Sequence, residues 1–134
     1  VIRRRRFVLG FAWLPLLARA SEGGSPLRGK LIAGDPAFLE VNGRRRRILA
    51  TDDARLVLAD TNLNGADFEV IGSPAGEDFQ VNPMHTRPLF AYQNGKRLYV
   101  TYWCDVCYIR TYAPGKCWCC QKDTELDLRE KLDE

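Results

Sequence analysis

The chain has 134 residues, of which 46% are hydrophobic and 28% charged, and its formal net charge is +3. That length suits a single domain, and the balance of apolar and charged residues excludes a disordered chain and a multi-span membrane protein. Five of the 20 basic residues and none of the 17 acidic ones fall within positions 1–20, so the rest of the chain carries −2 and nucleic acid is not expected as a partner.

Positions 1–20 read as a targeting segment. Arg3, Arg4, Arg5 and Arg6 form a basic start, Phe7 to Leu17 is an apolar run, and Ala18-Arg19-Ala20 offers the small residues that a signal peptidase reads. The apolar run is shorter than the roughly 20 residues a bilayer-spanning helix needs. Cleavage after Ala20 therefore leaves no membrane span, and a helical anchor is the alternative. Arg4-Arg5-Arg6-Phe7-Val8 resembles the twin-arginine export signal, although Arg3 stands where Ser or Thr is preferred and Leu9 where Lys is common. The resemblance implies a bacterial protein exported already folded, to the periplasm or beyond. The general secretory route is the simpler alternative.

From residue 21 onward, short apolar runs alternate with turn residues, the pattern of an all-β domain. Leu27 to Ile32 predicts a first strand. Phe38 to Val41 and the run ending at Leu49 flank Asn42-Gly43, a pair that favours the left-handed angles of a two-residue hairpin. Leu56-Val57-Leu58 and Phe68 to Gly72 read as strands joined through Asn64-Gly65, and Asp78 to Val81 as a further short one. Leu89 to Tyr92, Asn94-Gly95 and Arg97 to Trp103 give the clearest hairpin. The expectation is a small barrel or sandwich over residues 21–103. By strand spacing alone, Gly29 to Gly72 looks like an oligonucleotide/oligosaccharide-binding barrel, which implies a fold and no ligand. A cysteine knuckle over 104–122 and a short helix over 123–134 complete the expected layout. The helix is read from Thr124-x-x-Asp127, a variant capping box, and from the acid-first pairs Glu125/Arg129 and Asp127/Lys131.

All five cysteines lie between Cys104 and Cys120. The framework is C-x2-C-x9-C-x2-C, formed by Cys104, Cys107, Cys117 and Cys120, with Cys119 as an extra thiol or as a substitute for Cys120. Zinc takes four tetrahedral ligands, and structural sites favour thiolates. Each C-x2-C turn presents two sulfurs, and a turn at Ala113-Pro114-Gly115-Lys116 would bring Cys107 and Cys117 together. Iron is an alternative metal. The doubled C-x2-C amid aromatics resembles the rubredoxin-type iron site, but Tyr108 and Gln121 stand where that family has glycine. Two disulfides with one odd thiol fit the same count in an oxidising compartment. A third alternative is thiol redox chemistry. Trp103-Cys104-Asp105-Val106-Cys107 resembles the thioredoxin W-C-x-x-C, whose chemistry requires a helix directly after it.

Weaker signals remain. Asp60-x-Asn62-x-Asn64-Gly65 matches half of an EF-hand loop, but Ile71 stands where the bidentate Glu belongs, so a polar turn is the better reading. His85, the one histidine, is a fifth ligand, a base or a surface residue. Arg44 to Arg47 either keep an edge strand soluble or grip an anionic polysaccharide of the envelope or a lipid head group. Tyr92, Tyr99, Tyr102, Trp103, Tyr108, Tyr112 and Trp118 are core packing or a stacking platform. No acid pair, nucleophile–base pair or phosphate loop is visible. The reading is a non-enzymatic exported module with a structural zinc site. A redox or electron-transfer protein and a polymer-binding module are its alternatives.

Overall fold

A computed structural model describes residues 24–132. The targeting segment and its cleavage site lie outside the described residues. Among the described residues there are nine strands: β1 (Ser25–Ile32), β2 (Ala37–Val41), β3 (Arg44–Leu49), β4 (Asp67–Ala75), β5 (Asp78–Val81), β6 (Leu89–Gln93), β7 (Lys96–Cys104), β8 (Ile109–Thr111) and β9 (Glu125–Arg129). A helix, α1 (Asp52–Leu58), and a 3-10 turn (Thr61–Leu63) connect β3 to β4. A second 3-10 turn (Met84–Thr86) precedes β6.

The first five strands close on themselves. β1 pairs antiparallel with β2 on one side and with β4 on the other, Leu31 opposite Leu39 and Leu27 opposite Val70. β2 pairs with β3, β3 runs parallel to β5 at Ile48 and Leu49, and β5 returns to β4. The product is a closed five-stranded barrel, in agreement with the oligonucleotide/oligosaccharide-binding type suggested by strand spacing. Closure demands close backbone approaches. A Cβ at Gly72 would collide with the carbonyl oxygen of Gln80, and one at Gly29 with that of Glu40. Both positions therefore need glycine within a strand.

Inward-facing Leu31, Leu39, Ile48, Phe68, Val70 and Phe79 form the barrel core. The two Asn-Gly hairpins form as predicted. Asn42 and Gly43 have φ of 55° and 81°, and Asn94 and Gly95 have 53° and 79°. Positive φ at both central residues is the demand of a type I′ turn.

Two elements differ from expectation. Leu56-Val57-Leu58 belongs to α1 and forms no strand. Ala54, Val57 and Leu58 are buried, at the helical spacings i, i+3 and i+4, while Leu56 is exposed. Asp52 and Asp53 in the first turn suit the positive end of the helix. The expected C-terminal helix is instead strand β9, which pairs with β7 from Tyr99–Arg129 to Trp103–Glu125. Its Leu126 and Leu128 alternate with Glu125, Asp127 and Arg129, and both leucines pack against the core. Asp127 bonds to Arg110 at 2.7 Å, so the i,i+4 pairing with Lys131 is not made. A free edge on β7 outweighs charge spacing that a 12-residue helix could not exploit alone.

β4 links the barrel to the rest of the molecule. Its residues Asp67 to Val70 pair with β6 as well as β1, and β6 hands on to β7. The sheet thus runs out of the barrel toward the cysteines.

Candidate metal centre

The site is built on two hairpin tips. β7 ends at Cys104, and β8 folds back on it with Cys104 opposite Ile109 and Trp103 opposite Arg110. Residues 105–108 make that tip. After the Pro114-Gly115 turn, Lys116 bridges Asp123, the Cys117 N–H donates to the Lys122 carbonyl at 2.8 Å, and Thr124 N–H donates to the Gly115 carbonyl at 3.0 Å. Residues 118–121 make the second tip. An ion pair between Lys116 and Asp123 at 3.1 Å closes its base.

The tips share one backbone design. Tyr108 N–H donates to the Cys104 carbonyl at 2.9 Å, and Gln121 N–H to the Cys117 carbonyl at 2.8 Å. Tyr108 has φ of 57° and Gln121 φ of 68°. The left-handed position after each second cysteine, where the rubredoxin-type site has glycine, is therefore adopted here by non-glycine residues. The repetition also accounts for Cys119. It occupies the place that Val106 has in the first tip, and it is exposed to solvent.

Cys104, Cys107, Cys117 and Cys120 converge, with their sulfurs all within 4.8 Å of one another. Cys104 Sγ and Cys120 Sγ are 3.6 Å apart. Four sulfurs around one zinc at about 2.3 Å would be about 3.8 Å from each other, so the spacing fits a tetrahedral ion. No pair among the five thiols is at bonding distance, and all five are free. Cys104 and Cys117 are buried, while Cys107 and Cys120 are half-buried.

Backbone N–H groups face the sulfurs. Cys107 N–H points at Cys104 Sγ and Cys119 N–H at Cys117 Sγ, each at 3.4 Å. The Cys120 N–H does most to pull the Cys117 thiol down to about 7, against the opposing effect of burial. A thiol hydrogen-bonding interaction with Cys119, then burial, pushes Cys107 up. One sulfur is thus primed as a thiolate, and a cation would be needed to deprotonate the set. Outside the sulfurs, the Trp103 and Tyr108 rings lie 6.0 Å apart, and the Arg110 guanidinium sits over Trp103 at 4.7 Å. Val106, Tyr108 and Trp118 are exposed on the tips.

The other sequence signals disperse. His85 is exposed in the 3-10 turn before β6 and is not among the four converging ligands. The Asp60–Gly65 segment works as a polar turn. Asp60 accepts from Asn62 N–H at 3.0 Å and from the Tyr102 hydroxyl at 2.6 Å, and Asn64 accepts from Ala33 N–H at 2.9 Å. The aromatics form no common platform. Tyr102 is core, Tyr99 packs on Phe90, and Tyr92 and Tyr112 lie under Arg28 and Arg87. The W-C-x-x-C resemblance lacks its helix, since the chain turns directly into β8.

The molecule is thus a closed five-stranded barrel whose sheet extends into a tetrathiol knuckle. No protein-family model, curated protein or solved structure matches the chain. Among the described residues, no helix is long and apolar enough to cross a membrane.

Proposed function

We propose that this chain is an exported, non-enzymatic bacterial module in which Cys104, Cys107, Cys117 and Cys120 hold a structural zinc ion. The convergence of these four sulfurs within 4.8 Å carries the reading. Four protein thiolates fill a tetrahedral shell and leave no position for substrate or water, the mark of structural rather than catalytic zinc. Zinc would tie the tip of the β7–β8 hairpin to the tip that precedes β9. The basic start and apolar run of residues 1–20 support export to the periplasm or the cell exterior. A twin-arginine route, which carries folded proteins, would let the thiolates bind metal before they meet an oxidising compartment.

Iron is the second reading. The same sulfurs and the two left-handed tips suit it equally, and it would make the site an electron carrier. Elemental analysis, a visible spectrum and a thiol count under denaturing conditions separate the cases. The expected result is one zinc per chain, no visible absorption and five reduced thiols. An intense visible chromophore would establish iron. Absence of metal with a single free thiol would establish two disulfides and end both metal readings. Cys107→Ser is expected to abolish metal retention, whereas Cys119→Ser keeps one metal per chain. Export is checked by cell fractionation, where Arg4→Lys/Arg5→Lys should hold the protein in the cytoplasm.

A further inference from the structure

The four arginines of β3 do not sit on a plain charged edge. β5 pairs with β3 only at Ile48 and Leu49, so among the described residues no strand flanks Arg44 to Arg47 on that side. A cleft of about 790 Å³ opens there, between the β2–β3 hairpin and the β4–β5 hairpin. The two faces of β3 differ. Arg44 is opposite Val41 and Arg46 opposite Leu39, so both share the inward face of the barrel wall. Arg45 and Arg47 share the other face with Glu40 and Phe38.

Asp78, at the start of β5, holds half of the set. Arg47 pairs with its carboxylate at 2.7 Å, and Arg46 donates to its carbonyl at 3.3 Å while lying 5.3 Å over the Phe79 ring. The side chains of Arg44 and Arg45 are exposed and make no hydrogen bond or ion pair among the described residues. Two fixed guanidinium groups therefore stand beside two unpartnered ones. Leu27, Phe38 and Val41 add apolar surface to the cleft. Charges that served only to keep an edge soluble would need neither the cleft nor the anchoring by Asp78.

We propose that this cleft binds a linear acidic polysaccharide, with Arg44 and Arg45 as the residues that pair with its carboxylates. Guanidinium forks match carboxylate geometry, and Arg44 and Arg45, adjacent in β3, leave opposite faces of the strand while both line the cleft. Two guanidinium groups directed away from each other in this way suit carboxylates on separate sugar units better than one compact polyanionic group. The apolar patch suits the carbon faces of sugar rings. A single aromatic, Phe38, lines the cleft, whereas single-stranded nucleic acid calls for a series of aromatic rings under successive bases. The proposal is independent of the metal reading, because no cysteine lines the cleft.

Fluorescence anisotropy with a labelled oligogalacturonate tests it on the purified protein, against an oligothymidylate of equal charge and a neutral oligodextran. Wild type should bind the oligogalacturonate most tightly, and Arg44→Ala/Arg45→Ala should weaken binding by roughly tenfold or more. Lys122→Ala/Lys131→Ala removes equal charge elsewhere and should leave binding within about twofold. Thermal melts check that the arginine variant is folded, and Arg44→Gln/Arg45→Gln replaces it if it is not. No binding of the oligogalacturonate, or equal losses in the two charge variants, would overturn the proposal. Tighter binding of the oligothymidylate would overturn it in favour of nucleic acid.

Discussion

Tyr108 and Gln121 hold left-handed backbone angles, which cost an L-residue about 1–2 kcal/mol. Glycine would remove that cost while losing about 0.5–1 kcal/mol to its freer unfolded chain. Gln121 is exposed, so Gln121→Gly should be neutral or stabilise by up to about 1 kcal/mol with metal content unchanged, as read from urea midpoints. Tyr102 offers a pH-dependent counterpart. Burial, then its bond to Asp60, raises its hydroxyl well above the ordinary tyrosine value. The unfolded chain ionises near pH 10 while the folded one keeps its proton. The stability this provides is fully present below pH 10 and is lost as pH rises beyond it. Tyr102→Phe should therefore show a shallower decline in stability above pH 10 than wild type. At neutral pH it should cost about 1.5–3 kcal/mol, because a hydrogen bond to a charged group is lost.

At the scale of elements, the hairpins were legible because Asn42-Gly43 and Asn94-Gly95 act locally, through their own backbone angles. The two C-x2-C turns were legible for the same reason, each being complete within five residues. What escaped depends on distant partners. Leu56-Val57-Leu58 is β-prone as a string, and only the barrel core that receives Ala54, Val57 and Leu58 makes it helical. β9 carries charges at helical spacing, but its leucines alternate, and β7 provides the edge that decides between the two. The arginine cleft was half legible. The residues stood out, but Asp78, which fixes two of them, lies more than 30 positions away. Gly72 tests the strand geometry most directly. Its obstacle is a backbone carbonyl that cannot rotate aside, so Gly72→Ala should cost about 2–3 kcal/mol in chemical denaturation.

Across the whole molecule, the barrel closes without the cysteines. Every pairing among β1 to β5 lies between Ser25 and Val81, and the strand ladder reaches from that body to the knuckle through β6 and β7. If the proposed zinc is bound, stripping it with a chelator under reducing conditions should therefore loosen one end and leave the rest. Hydrogen exchange is expected to show lost protection across residues 104–124 and retained protection in β1, β4 and β5. Equal loss across both regions would mean that the sulfurs support the barrel itself.

The long strand β4 also sets an order of events for the newly made chain. The ladder it shares with β1 joins residues from 37 apart, at Lys30 opposite Asp67, to 47 apart, at Ser25 opposite Gly72, whereas Cys104 and Cys120 are separated by 16. Loop-closure entropy grows only with the logarithm of length, so the difference is about 1 kcal/mol in favour of the shorter loop. The barrel segment, however, leaves the ribosome first, and its slower search begins before the cysteine segment has emerged. The two tasks can then finish close together, the late one being local and the early one long-range. The chain would pass little time with five reduced sulfurs exposed beside an unfinished barrel.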